Sequence, residues 1–356
     1  MRKFTKLASI AFISILGFTS CERDNKTYVL PVVPPSDGSK MTLEGGEGGT
    51  DAANAVYVDL STDKQTSVAR KSWSLGFYSG SAFRVILNNH MAYSAMVTNQ
   101  TDIKAVSSTN VDLTKLNYNF QVKDQLQNYD DTAGRIEKSL IAEIKATETE
   151  NKVYVINPVH PNADKSNVWK VKINRGTAQD YVLQYAKLDD TNFKSLTIKK
   201  DNKLNFNFIS FSEGPVNVEP AKDEWDLVWT KSIYFTAMGG APIPYFFSDL
   251  VFINHLNGVS VSEVVFLGKD NKSNGQPNYE EFDSSKLSGI KFKNNRNAMA
   301  TSWRNTLSVG VLRDRFYVIK DKAGNIYKLR FLAMGVKDDG GKRGYPEIEY
   351  KLVKSN

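Results

Sequence analysis

The chain has 356 residues, 41% of them hydrophobic and 24% charged, which excludes a disordered polyelectrolyte and suits one large domain or two ordinary ones. Its formal charge of +7 includes Arg2, Lys3 and Lys6; without these three, 43 lysines and arginines face 39 acids, too small and evenly spread a surplus for a nucleic-acid surface. A single cysteine excludes an internal disulfide, and sixteen Tyr, nineteen Phe and five Trp lean towards β-structure.

The three basic residues precede an apolar run, residues 7–18 (LASIAFISILGF), which is too short to span a bilayer and is followed by Thr19-Ser20-Cys21. This pattern predicts a lipoprotein signal peptide over residues 1–20, with Cys21 as the lipid-attachment site. A diacylglyceryl thioether together with an acylated amine supplies the chains that stable anchoring requires. Residues 21–54 are rich in Glu, Asp, Pro, Gly and Ser and lack periodicity, which predicts a flexible tether.

A β-rich repeat A is predicted over residues 55–188. It opens with a strand at 55–60, a polar connection to Lys71, and the stretch KSWSLGFYSG, in which Trp73, Leu75 and Phe77 alternate with polar or small residues. Period two marks a strand with one buried face. Another strand follows at 83–87. Ile136, Leu140, Ile141 and Ile144 recur at helical spacing, so a helix is expected over Asp131–Thr149, capped by Asp131 or Thr132. A meander at 153–156, 169–173 and 181–186 closes the repeat.

Repeat B, over residues 206–353, follows the same order. A strand at 206–211 and a polar connection lead into DEWDLVWTKSIYFTAMGG, Asp223 to Gly240, where Trp225, Leu227 and Trp229 alternate. A strand at 250–253, a short helix expected over Ala298–Leu307, and strands at 315–319, 326–331 and 348–352 complete it. The expected fold is all-β, mainly antiparallel sheets and meanders with one or two short helices, its two halves sharing one core.

Nothing in the chain reads as catalytic. His90, His160 and His255 are far apart and outside any metal-binding spacing, there is no nucleophile elbow or phosphate loop, and the only cysteine is assigned to lipid. Glu280-Glu281 and Asp338-Asp339 fall in turn-rich segments and read as solvated loops. The aromatic content admits a flat apolar ligand held between sheet aromatics, with Met or His on its metal if it carries one. The candidate ligands are Met299, His90, Met91, Met238 and His255, with Met96 close by. Each also fits a core or surface position, and His255 reads as an exposed turn residue.

Glu224–Gly240 (EWDLVWTKSIYFTAMGG), Asp314–Gly335 (DRFYVIKDKAGNIYKLRFLAMG) and Gly344–Val353 (GYPEIEYKLV) resemble the HmuY-like haem-binding lipoproteins of Bacteroidota. The resemblance covers Phe206 to Val353 and reaches residues 54–188 through the internal repeat. It implies a hand-like pair of sheets, a lipid anchor, display on the outer membrane at the cell surface, and haem capture for a neighbouring TonB-dependent receptor. Glu22 and Asp24 loosely match the acidic export signal of such lipoproteins. The family's better-known members ligate haem iron through two histidines. One of those positions falls near Ala298–Trp303, where Met299 is the nearest replacement; the other falls in Val264–Phe282, which has neither His nor Met. The implied alternative is a non-haem accessory or structural surface lipoprotein of the same fold.

Overall fold

The computed structural model describes residues 33–119, 123–238 and 241–356; the leader and Cys21 lie outside them. The chain divides into Met1–Pro34 and Pro35–Asn356, and the strands belong to the second unit. No helix of the described residues is long and apolar enough to cross a membrane.

Alternation along each strand decides which face is buried, and here both faces are used. In Asn54–Asp59, Val56 and Val58 enter one core while Ala55 and Tyr57 enter another; in Leu227–Met238, Leu227 and Trp229 join the first and Val228 the second. Such strands sit in the middle layers of a stack, covered on both sides.

Among the described residues, four antiparallel sheets of four or five strands result, in two lobes, beside one two-stranded pair. The inner lobe is contiguous. Its five-stranded sheet runs, in spatial order, Lys194–Ile198, Tyr181–Lys187, Trp169–Arg175, Tyr154–Asn157 and Ser94–Val97. Its four-stranded sheet runs Gly214–Val216, Phe206–Ser210, Leu75–Tyr78 and Val85–Leu87. Leu75, Phe77, Val85, Leu87 and Ile209 pack between the two.

The outer lobe repeats this order from two separate pieces of chain. Its five-stranded sheet runs Gly38–Thr42, Glu347–Lys354, Ile326–Ala333, Arg315–Lys320 and Ser260–Val265. Its four-stranded sheet runs Lys64–Ala69, Asn54–Asp59, Leu227–Met238 and Ala241–Ile253. Val56, Val58 and Leu60 pack with Trp229, Tyr317 and Tyr350 between them.

The structural boundaries therefore differ from those expected. Asn54–Asp59 pairs with the second tryptophan strand, Val58 opposite Leu227 and Val56 opposite Trp229, and not with Leu75–Tyr78. The strand Leu75–Tyr78 instead takes Phe206–Ser210 as its neighbour, with Phe208 opposite Gly76. Gly76 is required there, because a Cβ would lie 2.8 Å from Ile86 and 2.9 Å from Phe208. Residues 73–218 form one lobe, inserted into a second built from 38–69 and 225–354. The tether is also shorter than expected, since Gly38–Thr42 pairs with Glu347–Lys351 and Leu43 and Ala52 are buried.

The helix expected over 131–149 is absent. Ile136–Lys138 and Glu148–Glu150 form single 3-10 turns, and between them Ile141 bridges Val85 in extended form. The apolar spacing misleads because its members feed two cores: Ile136 packs with Trp73 and Phe208, whereas Leu140, Ile141 and Ile144 pack with Leu75 and Phe77. One helical face cannot serve both. The helix expected over Ala298–Leu307 is likewise replaced by turns and the short pair Arg304–Asn305 with Gly310–Val311. Met299 and Trp303 are there driven fully into the outer core.

Asp339 is no solvated loop residue. Its Oδ1 accepts from Gly335 N and Val336 N, each at 3.0 Å, and its Oδ2 from Met334 N and Val311 N, each at 3.1 Å. Four backbone donors converge on one buried carboxylate, and of these Gly335 N also reaches Gly340 O at 2.9 Å. Asp339→Ala is expected to lower stability by about 3 kcal/mol, read as a shift in the urea midpoint at unchanged slope. A shift below about 0.5 kcal/mol would show that water replaces the carboxylate at no cost.

Candidate functional site

The two leading tryptophans do not share the face of the strands they open. Leu75 and Phe77, and likewise Leu227 and Trp229, point into the lobe cores, whereas Trp73 and Trp225 turn to the opposite side. The cause is a pair of matching asparagines. Asn88, ending Val-Ile-Leu-Asn, donates its amide to Arg70 O at 2.8 Å and Trp73 O at 2.7 Å. Asn254, ending Val-Phe-Ile-Asn, donates to Lys222 O at 2.8 Å and Trp225 O at 3.0 Å. With its carbonyl held by a side chain, each tryptophan stays out of the ladder and faces the other lobe.

Each asparagine also opens a 3-10 turn that carries a histidine, Asn89–Met91 in one lobe and His255–Asn257 in the other. These turns bring His90 and His255 to one cavity of about 90 Å³ between the lobes. Trp73, Ile86, Phe206 and Phe208 wall it on the inner side, and Tyr57, Trp225, Val228 and Phe252 on the outer. Asp130, Glu219 and Arg296 also line it; their residue types carried no motif in the sequence. The repeated apolar triplet before Asn88 and Asn254 is the signal in the sequence that marks the site.

His255 is not an exposed turn residue. It is half-buried, and its Nε2 lies 3.1 Å from Gly134 O. Arg296 Nη1 and Asn297 Nδ2 both donate to Thr132 O, so the loop 131–136 of the inner lobe is strapped down by the outer one. Gly134, at φ +68°, must be glycine: a Cβ would stand 2.3 Å from Arg296 Cδ.

Removal from water dominates the electrostatics. Burial, then the charges of Arg296 and Arg70, depresses His90 to about 3. Burial and Arg296 also lower His255. Desolvation pushes Glu219 up to about 8 and Asp130 up to about 6, although Asp130 accepts from Leu87 N at 2.6 Å and Leu140 N at 2.9 Å. Desolvation also lowers Arg296 to about 10. At neutral pH both histidines and Glu219 are uncharged.

Met299, Met91 and Met96 do not join this cavity. Met299 is fully buried in the outer core, Met91 packs on the inner core, and Met96 packs in a third cluster with Val155. Met238 pairs with Ala241 at the end of a long ribbon. Among the described residues no group of three or more His, Cys, Asp or Glu is placed to hold a metal ion.

A porphyrin does not fit between His90 and His255, because a cavity of this volume admits about three waters. A groove of about 520 Å³ on the outer lobe falls in the range of small-molecule sites. It lies on the ribbon Leu227–Met238/Ala241–Ile253, beyond the point where Asn54–Asp59 stops pairing. Tyr245, about half exposed, stands 4.6 Å from Phe247, ring to ring. Lys231, Arg304 and Arg343 border these rings. Lys231 pairs with Asp51, and Arg343 with Asp249 at 2.5 Å. Arg304 donates to Asp249 O and Ser248 O, so three cations face two carboxylates. The groove is aromatic on one wall and net positive.

A family model described as HmuY protein matches residues 51–350. No curated protein matches the chain. Among solved structures, a crystal structure of apo PinO from Porphyromonas gingivitis is 15% identical over 46% of this chain and 88% of its own, at a TM-score of 0.16.

Proposed function

We propose that this chain, which belongs to the HmuY family, is a non-catalytic binding lipoprotein that captures haem or a related porphyrin at the cell surface. The groove of Tyr245, Phe247, Arg304 and Arg343 carries this reading. Aromatic faces suit a planar macrocycle, and a surplus of positive charge suits its carboxylates. Lipid on Cys21 would hold the protein at the outer membrane, and transfer to a TonB-dependent receptor would complete the uptake route.

Axial ligation by the expected side chains has little support, because His90 and His255 face the small cavity and Met299 is in the core. Ring stacking and charge are left to supply the affinity. Metal-free protoporphyrin and haemin should then bind with affinities within about tenfold of each other. Titration of the mature chain, followed by the Soret band and tryptophan quenching, tests this. Tyr245→Ala, at an exposed side chain, is expected to weaken both about tenfold. No spectral change with either porphyrin at micromolar protein sinks the reading. The lack of a His or Met pair around the groove among the described residues favours, in that event, a non-haem accessory lipoprotein of the same fold.

A further inference from the structure

The cavity between the lobes shares no lining residue with the porphyrin groove, and its chemistry is different. We propose that it is a second binding site, for a short-chain monocarboxylate of acetate to butyrate size, held by Arg296.

Arg296 is the first reason. Its guanidinium lies 3.7 Å over the Phe252 ring, and its one hydrogen bond among the described residues runs from Nη1 to Thr132 O at 3.3 Å. Among the described residues no carboxylate stands within ion-pair distance of it. The acids around it are otherwise engaged or uncharged: Asp130 accepts from two backbone amides, Asp131 is paired with Arg135 at 2.6 Å, and burial keeps Glu219 protonated. Asp130 and Asp131 supply charge nearby but no direct ion pair, so the part-buried guanidinium has donors to spare, and a carboxylate is its geometric complement.

The neighbouring polar atoms point to the same class. Trp73 Nε1 and Trp225 Nε1 are buried without partners, and an indole N–H can only donate. His90, 7% exposed, has an unpartnered Nδ1, and Tyr57 brings a hydroxyl-bearing ring to the lining. Asn89 Oδ1 and Glu219 Oε2 are unpartnered there as well, so beside the guanidinium the cavity offers two indole donors, a histidine nitrogen of either role and two acceptors, one on the carboxyl that burial protonates. The aromatic walls, Phe206, Phe208 and Phe252 among them, suit a short alkyl tail, and the volume of about 90 Å³ suits a guest of this size.

Thermal unfolding and calorimetric titration of the mature chain with acetate, propionate and butyrate at constant ionic strength test this, with propionamide and chloride as controls. A carboxylate-specific, concentration-dependent rise in the unfolding temperature is expected. Arg296→Gln should abolish it, and Tyr57→Phe should weaken binding about three- to tenfold. Equal shifts with propionamide, no shift at about 100 mM propionate, or an unchanged shift in Arg296→Gln overturns the proposal. Should Arg296→Gln not fold, a crystal structure of the unaltered chain in propionate decides. Carboxylate density on Arg296 supports the proposal, and ordered water only overturns it.

Discussion

A fragment of residues 73–218 is expected to unfold cooperatively, whereas one of residues 55–188 is expected not to fold. The first holds every strand of the two inner-lobe sheets. The second carries Asn54–Asp59 nearly whole, a strand whose partner Leu227–Trp229 it lacks, and it loses Lys194–Ile198, Phe206–Ser210 and Gly214–Val216. Ile198, Phe206, Phe208, Ile209 and Phe211, all buried, leave with them. At about 2 kcal/mol for each large apolar side chain the loss is about 10 kcal/mol, comparable with the whole stability of a domain. Near-UV circular dichroism and urea unfolding distinguish the two fragments. Cooperative unfolding of 55–188, or a disordered 73–218, would show the lobe boundaries to be wrong.

Raising the pH from 6 to 9 is expected to destabilise the protein, with Asp226 as the main cause. Asp226 lies in the outer lobe, where its Oδ2 accepts from Leu60 N at 2.9 Å. Desolvation, then the charges of Asp59 and Asp321, pushes it up to about 8. Its folded value stands above its unfolded one, so its contribution is fully present below the unfolded value near 4 and is lost as pH rises through 8. Glu219, also raised to about 8, adds to the same slope. Each group contributes up to about 1.4 kcal/mol per pH unit.

The histidines act in the opposite sense. His90, depressed to about 3, contributes stability that is present above its unfolded value near 6.5 and is lost as pH falls towards 3. Below pH 6.5 the two slopes oppose each other and the curve flattens. Asp226→Asn keeps an acceptor for Leu60 N and removes the charge, so it should flatten the alkaline limb and stabilise the protein at pH 8 relative to the parent. A variant destabilised equally at pH 6 and pH 9 would mean that Asp226 is ionised throughout.

Much of the architecture is legible along the chain. The alternation of Val56 with Val58, Leu75 with Phe77 and Leu227 with Trp229 marks real strands, and the closing meanders of both lobes stand where Val, Ile and Tyr cluster between turns. Helical spacing at Ile136, Leu140, Ile141 and Ile144 is a false signal, since the segment crosses between two cores and distance along the chain says nothing about which core receives each residue. The candidate site was half legible. His90 and His255 stood out by residue type, and both line the cavity; Met299 stood out equally and is core. Arg296 and Glu219 did not stand out at all, because a lone charge in a polar loop is ordinary until the fold removes its water.

The amino-acid sequence by itself determined the all-β class, the repeated order of strands and the resemblance that the family match bears out, because strand formation and turn placement follow from propensity and patterning over a few residues. Tertiary structure alone decided that Asn54–Asp59 belongs with Trp229 and Phe206–Ser210 with Leu75, since an unpaired strand edge accepts any suitable partner and closure selects among distant ones. It also decided the chemistry of the cavity. Two asparagines turn two tryptophans out of their strands, the lobes close over them, and desolvation neutralises His90, His255 and Glu219 while leaving Arg296 charged.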